Sequence, residues 1–180
     1  MTPTALELCA GAGGQALGLA RAGFKHVALV DNDEHACQTL KLNFPGCRVI
    51  RADIRKLRDP ARFKGIGLLA AGLPCPPFSI GGHQLGADDD RNLFPAMFDI
   101  VRATRPKAVM IENVPGLMAP KFEAYRLEIC DQFDPLGYHT DMRVFDASDF
   151  GVPQRRQRVI IGRKSRRGDT TFSGLSGPRA

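Results

Sequence analysis

The feature that most constrains the fold is a glycine-rich turn near the amino terminus. A short apolar run, Ala5 to Cys9, comes before Gly11 and Gly13, and residues 16–22 then place apolar side chains at helical spacing. Strand, glycine turn and helix form the nucleoside-binding or phosphate-binding unit of a Rossmann-like sheet. Glycine lets the backbone approach a ligand where a Cβ would clash. We therefore expect Gly11 and Gly13 to line a nucleoside cofactor pocket.

An acidic residue at the end of the second predicted strand supports this interpretation. The strand covers residues 27–30 and is followed by Asp31, whose carboxylate is placed to accept hydrogen bonds from two ribose hydroxyls. The glycine pattern with Asp31 also satisfies the dinucleotide fingerprint, so it does not separate NAD from S-adenosylmethionine. Asp33 is predicted to cap the helix that follows.

The third predicted strand, residues 48–52, also ends at an acid. Asp53 is placed to bond an adenine amino group, with Ile54 packing on the ring. An acid at a strand end is equally often a turn or helix cap. Position alone leaves both interpretations open.

A cysteine between prolines follows the fourth predicted strand. The apolar run at residues 66–71 leads into Pro74-Cys75-Pro76, and proline keeps such a loop from relaxing into a helix. This arrangement holds one thiol at the carboxyl end of a sheet. The alternative is that Cys75 is a small buried apolar residue, as free cysteines usually are.

Two further segments carry candidate polar residues. Glu112 comes directly after the apolar residues 108–111 and is therefore partly desolvated, as a general acid requires. Near the carboxyl terminus, Arg156 and Arg158 are predicted to share one face of a strand by period-two alternation. Arginine forks match phosphate and carbonyl oxygens.

Charge and cysteine usage limit the classes of partner. The net charge of +6 is concentrated in residues 151–180, which carry eight Lys or Arg and one acid, and such a patch suits a polyanion. The five cysteines are scattered without a C-x-x-C pair, which indicates reduced thiols in a cytosol and neither a zinc site nor a disulfide framework. No apolar run is long enough for a membrane span. We expect a cytoplasmic protein with no membrane partner and no metal.

The order of these motifs resembles that of the cytosine-C5 DNA methyltransferases. The resemblance covers residues 4 to about 164, and it is carried by the glycine turn, the Pro-Cys segment at 74–79, Glu112-Asn113-Val114 and the run at 154–158. It implies an α/β fold with a Rossmann-like doubly wound sheet of the S-adenosylmethionine-dependent type. It also implies a catalytic lobe at residues 1–164, followed by a disordered tail at 165–180.

The resemblance further implies a role for each matching residue. Cys75 would add to C6 of a cytosine flipped out of double-stranded DNA, Glu112 would bond N3 and the exocyclic amine, and Arg158 would hold O2. Arg156 would support the Cys75 loop or a phosphate. The S-adenosylmethionine pocket would be lined by Cys9, Gly11, Gly13, Asp31, Asn32, Asp53, Ile54, Pro74 and Leu93. DNA contacts would come from Ser79, Gly81, Gly82, Gln154 and Arg155.

The chain departs from the family pattern in three ways. Cys9 stands where the family usually has phenylalanine, and Asn32 stands where an aromatic residue is common. The target-recognition domain and the carboxyl-terminal motifs of the family find no counterpart, so we expect a truncated or split enzyme that requires a second chain for target recognition. The alternatives are an inactive remnant that still binds cofactor or DNA, a tRNA-methylating relative, and an NAD enzyme, which gives Cys75 and Glu112 no role.

Overall fold

The computed structural model describes residues 2–74 and 92–165. Seven strands form a sheet with the order β3-β2-β1-β4-β5-β7-β6. The strands are β1 Thr4–Leu8, β2 Lys25–Asp31, β3 Val49–Arg51, β4 Leu68–Gly72, β5 Ala108–Asn113, β6 Tyr138–Asp146 and β7 Gln157–Ser165. The helices are α1 Gly14–Arg21, α2 Glu34–Asn43, α3 Phe94–Thr104 and α4 Glu123–Phe133. The α/β, Rossmann-like fold class expected from the sequence is confirmed.

The chain divides into two compact units. The first contains residues 1–73 and 93–110, and the second contains residues 74–92 and 111–180. In the first unit, β1 lies between β2 and β4 and is parallel to both, and β2 pairs in parallel with β3. Parallel strands need crossover connections, which α1 and α2 supply. This is the alternation predicted from the glycine turn and the helical spacing.

Local sequence explains where the helices of the first unit begin. Asp33 accepts a hydrogen bond from the Ala36 amide through Oδ1 at 2.7 Å, which caps α2 as predicted. Pro95 lies in the first turn of α3, where its missing N–H breaks no helical hydrogen bond. The core of the unit includes two buried clusters, Ala5, Leu19, Leu68 and Ala70 in one, and Ala10, Ala16, Leu29 and Leu40 in the other.

The second unit is built on an antiparallel hairpin and one helix. β6 and β7 pair along their whole length, from Tyr138 opposite Ser165 to Asp146 opposite Gln157. α4 buries Tyr125, Ile129 and Phe133, which is the helix face predicted from their spacing. The Phe133 and Tyr138 rings meet edge to face, with 5.9 Å between centroids. This contact ties the end of the helix to the start of the hairpin.

Candidate functional site

The glycine-rich turn lies between β1 and α1 in the first unit. Cys9, Gly11 and Gly13 all have positive φ, at 53°, 53° and 93°. The turn is held by a hydrogen bond from the Ala10 amide to the Val30 carbonyl at 3.1 Å. A left-handed backbone at Cys9 is unusual for a residue with a Cβ, so the surrounding turn must stabilise it.

The two glycines are required for different reasons. A Cβ on Gly11 would meet nothing within 4 Å, so the space beside it is open. A Cβ on Gly13 would lie 2.8 Å from Phe44 Cε2 and 2.9 Å from Leu40 Cδ2. Packing against α2 and its C-terminal cap is therefore one reason why residue 13 is a glycine. Open space for a ligand is present at Gly11.

Asp31 fixes the turn from the end of β2. The residue is 9% exposed, and its Oδ2 accepts from the Gly11 amide at 2.7 Å while Oδ1 accepts from the Asp33 amide at 2.9 Å. A carboxylate has about four acceptor positions, so one remains on each oxygen. Two free acceptor positions are what a ribose diol needs, and Asp31 can hold the turn and bind a nucleoside together.

Cys9 lies in the field of two acids. Burial, with smaller contributions from the negative charges of Asp31 and Asp53, raises the pKa of the Cys9 thiol to about 12. These effects show that the three side chains are near one another. Because the thiol stays protonated, Cys9 contributes a small apolar surface and not a nucleophile.

Asp53 has a local partner that the sequence did not suggest. It precedes the 3₁₀ turn Ile54–Lys56, and its carboxylate accepts from the Arg55 amide and from Arg55 Nε and Nη2, the last at 2.6 Å. The Arg55 hydrogen bond is the largest cause holding the pKa of Asp53 below its usual range. Of the two interpretations left open, the capping acid is the one with visible contacts. Ile54 is buried and Asn32 is exposed.

In the second unit, Glu112 and Arg158 form an ion pair. Glu112 lies within β5 and not after it, and Arg158 lies near the start of β7. Arg158 Nε is 2.5 Å from Glu112 Oε1, and the side chains are 26% and 32% exposed. Arg158 Nη1 also donates to the Gln157 carbonyl at 2.7 Å. The guanidinium thus orients the carboxylate while part of each side chain stays accessible.

The hairpin turn before Arg158 is organised by Asp146. Its Oδ1 accepts from the Ser148 amide, the Ser148 hydroxyl and the Arg156 amide, at 3.1, 3.0 and 3.0 Å. β7 begins at Gln157, so Arg156 precedes the strand, and the prediction that Arg156 and Arg158 share a strand face is wrong. The Asp146 hydrogen bond to the Arg156 amide fixes the backbone just before the strand begins.

The remaining predicted residues are placed as follows. Gln154 and Arg155 are exposed in the turn before β7, Pro74 is exposed after β4, and Leu93 is partly buried just before α3. Cys75, Ser79, Gly81, Gly82 and the tail from residue 166 lie outside the described residues. Sequence analysis missed Asp146, although Asp-x-Ser is a known capping signal. It also missed Arg126 and the buried Glu7, for which spacing gives no signal.

The described residues, 2–74 and 92–165, contain neither a cluster of metal-binding side chains nor a membrane-spanning helix. No cluster of His, Cys, Asp or Glu suited to a metal ion occurs among these residues. None of their helices is long and apolar enough to cross a membrane.

The glycine turn, the acid at the end of β2 and the strand order define an α/β protein of the Rossmann-like class. The chain belongs to the family of C-5 cytosine-specific DNA methylases, whose profile matches residues 4–170.

Similar proteins come from several bacteria. The chain is 55% identical over 158 residues to the Type II methyltransferase M.NgoMIV of Neisseria gonorrhoeae, which covers 88% of this chain and 50% of the relative. It is 47% identical to M.NaeI of Lentzea aerocolonigenes, over 87% of this chain and 38% of the relative. A solved structure of a prophage-encoded protein of E. coli superposes with a TM-score of 0.78 at 30% identity, over 91% of this chain and 47% of the other. The chain thus spans about half the length of the first of these curated relatives and less than half of the second.

Proposed function

We propose that the chain is the catalytic lobe of a DNA cytosine-C5 methyltransferase. The observation that carries the proposal is the Glu112–Arg158 ion pair, a carboxylate and a guanidinium held together and partly exposed in a chain of this family. Cytosine presents a ring nitrogen, an amino group and a carbonyl oxygen along one edge. A carboxylate and a guanidinium supply the matching acceptor and donors.

The chemistry requires a nucleophile because C5 of cytosine is unreactive. The Cys75 thiolate adds to C6, forming an S–C6 bond and shifting the electron pair of the C5–C6 bond onto C5. Glu112 in its protonated form donates a hydrogen bond to N3, where negative charge develops, and accepts one from the amino group through its other oxygen, while Arg158 donates to O2. After C5 has gained its methyl group, a base removes the C5 proton, and the returning electron pair expels the Cys75 thiolate.

S-adenosylmethionine fits the first unit. Gly11 has open space beside it, and Asp31 keeps one acceptor position on each oxygen after holding the turn. These residues would bind the ribose, and Cys9 would offer an apolar contact beside it. The bound cofactor supplies the methyl group.

A second chain that reads the target sequence is a proposed partner. In the two relatives named above, the matched region makes up 50% and 38% of the protein, and the remainder is the proposed source of target recognition. Double-stranded DNA with a flipped cytosine is the proposed substrate, since the reacting C6 is shielded within a base stack. The relatives are named Type II methyltransferases. Because of this similarity, we extend the association with restriction-modification to this chain.

A trapping experiment tests the covalent step. In DNA containing 5-fluorocytosine, fluorine replaces the proton that must leave C5, so the S–C6 adduct persists after methylation. We expect denaturing electrophoresis and mass spectrometry to find a protein–DNA adduct that contains Cys75 and forms only with S-adenosylmethionine. Cys75→Ser should bind the cofactor normally and form no adduct. An adduct of undiminished yield in Cys75→Ser would overturn the proposed nucleophile.

A further inference from the structure

α4 carries a half-buried arginine, Arg126, that the proposed chemistry does not use. Arg126 is half-buried, and its Nη1 donates to the carbonyl oxygens of Leu117 and Ala119, each at 2.8 Å. Hydrogen bonds from a charged group are stronger than neutral ones, and the planar guanidinium holds its acceptors in a fixed geometry. Arg126 therefore clamps a short backbone segment at two points.

The clamped segment follows directly from Glu112. β5 ends at Asn113, whose Oδ1 accepts from the Val114 amide at 2.9 Å. The chain then enters the 3₁₀ turn Pro115–Met118, hereafter the 115–118 turn, where the Leu117 amide donates to the Val114 carbonyl at 3.1 Å. Leu117 is fully buried. Hydrogen bonds thus run without a gap from the residue after Glu112 to the carbonyls that Arg126 holds.

The same turn contacts the strand that carries Arg158. β7 packs against the 115–118 turn, and α4 packs against it as well. The turn is therefore covalently continuous with the strand of Glu112 and in contact with the strand of Arg158. A displacement of the turn would move both partners of an ion pair whose atoms are 2.5 Å apart.

We propose that Arg126 is a positioning residue that sets the geometry of the Glu112–Arg158 pair through the 115–118 turn. Its effect on catalysis rests on the proposed function, whereas its effect on the ion pair does not. A residue with a purely structural role would change stability and leave the pair as it is. A positioning role and a purely structural role therefore predict different effects of an Arg126 substitution on the contact between Arg158 and Glu112.

The experiment follows the Nε–H resonance of Arg158 by NMR in the full chain, assigned with Arg158→Lys. Glu112→Ala provides the position of that resonance when the pair is broken. We expect Arg126→Ala to move it most of the way to that position, and to speed amide exchange of residues 114–119 about tenfold, as expected for a lost charge-assisted contact. Arg126→Lys should be intermediate, because an ammonium group cannot present the same planar fork.

The matched control is Arg143→Ala. Arg143 is an exposed arginine of β6 in the same unit, and its Nε is 3.1 Å from Asp141 Oδ2. This variant should leave the Arg158 resonance at its wild-type position. An unchanged resonance in folded Arg126→Ala, or an equal shift in Arg143→Ala, would overturn the proposal. If Arg126→Ala does not fold, Arg126→Lys is measured in its place, and an unchanged Arg158 resonance in that variant would overturn the proposal.

Turnover provides a second measurement that separates positioning from stability. In the folded protein, Arg126→Ala should lower kcat about a hundredfold, the size of effect associated with a catalytic group displaced by about 1 Å, and leave the KM for S-adenosylmethionine unchanged. A change in melting temperature with unchanged kcat would contradict positioning. The NMR measurement needs neither DNA nor cofactor, so failure of the proposed function and failure of this inference give different results.

Discussion

At the scale of single residues, Glu7 is a fully buried acidic side chain in the first unit. It lies in β1 with no exposed surface, and its Oε2 is 3.3 Å from Nε2 of the nearly buried His26. Burial raises the pKa of Glu7 because a charged carboxylate loses its hydration, although His26 works in the opposite direction. Between the ordinary pKa and the raised one, the Glu7 carboxyl therefore stays protonated in the folded protein and is ionised in the unfolded chain.

This shift predicts how stability depends on pH. A carboxyl with a raised folded-state pKa stabilises the fold at low pH, and the contribution is lost as pH rises from the ordinary value of 4.5 towards the raised one. Glu7→Gln should remove this slope. We expect the melting temperature of wild type, relative to Glu7→Gln, to fall as pH rises through that window.

The control for this prediction is Glu34→Gln, which alters an exposed glutamate paired with Arg51. It should leave the slope of melting temperature against pH unchanged. A wild-type to Glu7→Gln difference that is constant with pH would show that Glu7 has the same proton affinity in the folded and unfolded states.

At the scale of elements, the glycine turn and α2 are coupled through Gly13. Gly13→Ala would combine a left-handed φ of 93° with Cβ contacts under 3 Å to Phe44 and Leu40, and we expect a loss of about 3 kcal/mol from strain and overpacking. Gly11→Ala meets open space and should cost about 1 kcal/mol for its φ alone. Urea denaturation measures both.

Cofactor binding should show the reverse order. Gly11 faces the open space, so Gly11→Ala should weaken binding of S-adenosylhomocysteine more than Gly13→Ala does in the folded protein, as measured by calorimetry. If the two variants lose equal stability and equal affinity, the assignment of Gly13 to packing and Gly11 to ligand approach is wrong.

At the scale of the whole molecule, the sequence predicted the elements better than their contacts. The strands β1 to β4 and the helix α1 lie where apolar spacing predicted them, and Asp33 caps α2 as its position predicted. These features are local, so a window of sequence contains their cause. The Glu112–Arg158 pair joins residues on two different strands, and although the residues alone made each a candidate, only the resemblance to a family placed both on one cytosine.

Other parts of the site depend on contacts that no sequence window contains. Nothing in the local sequence distinguishes Arg126 from other arginines. Its role depends on two carbonyl oxygens that the fold places within hydrogen-bonding distance. The sequence pattern at Gly13 fits a ligand site, and only the fold shows that Phe44 and Leu40 also pack beside it. The strand begins at Gln157, and the amide of Arg156 before it is bonded to the Asp146 side chain, ten residues away in the chain. Each of these was decided by packing and not by spacing.

The most direct test of the central claim is transfer of labelled methyl from S-adenosylmethionine to mixed-sequence DNA. The chain would be assayed alone, and also with the part of the Neisseria gonorrhoeae relative that it does not cover. The account predicts label in 5-methylcytosine in the mixture, absent with Cys75→Ser. Label of undiminished yield in Cys75→Ser, or none in the mixture from a folded chain that binds the cofactor, would contradict it.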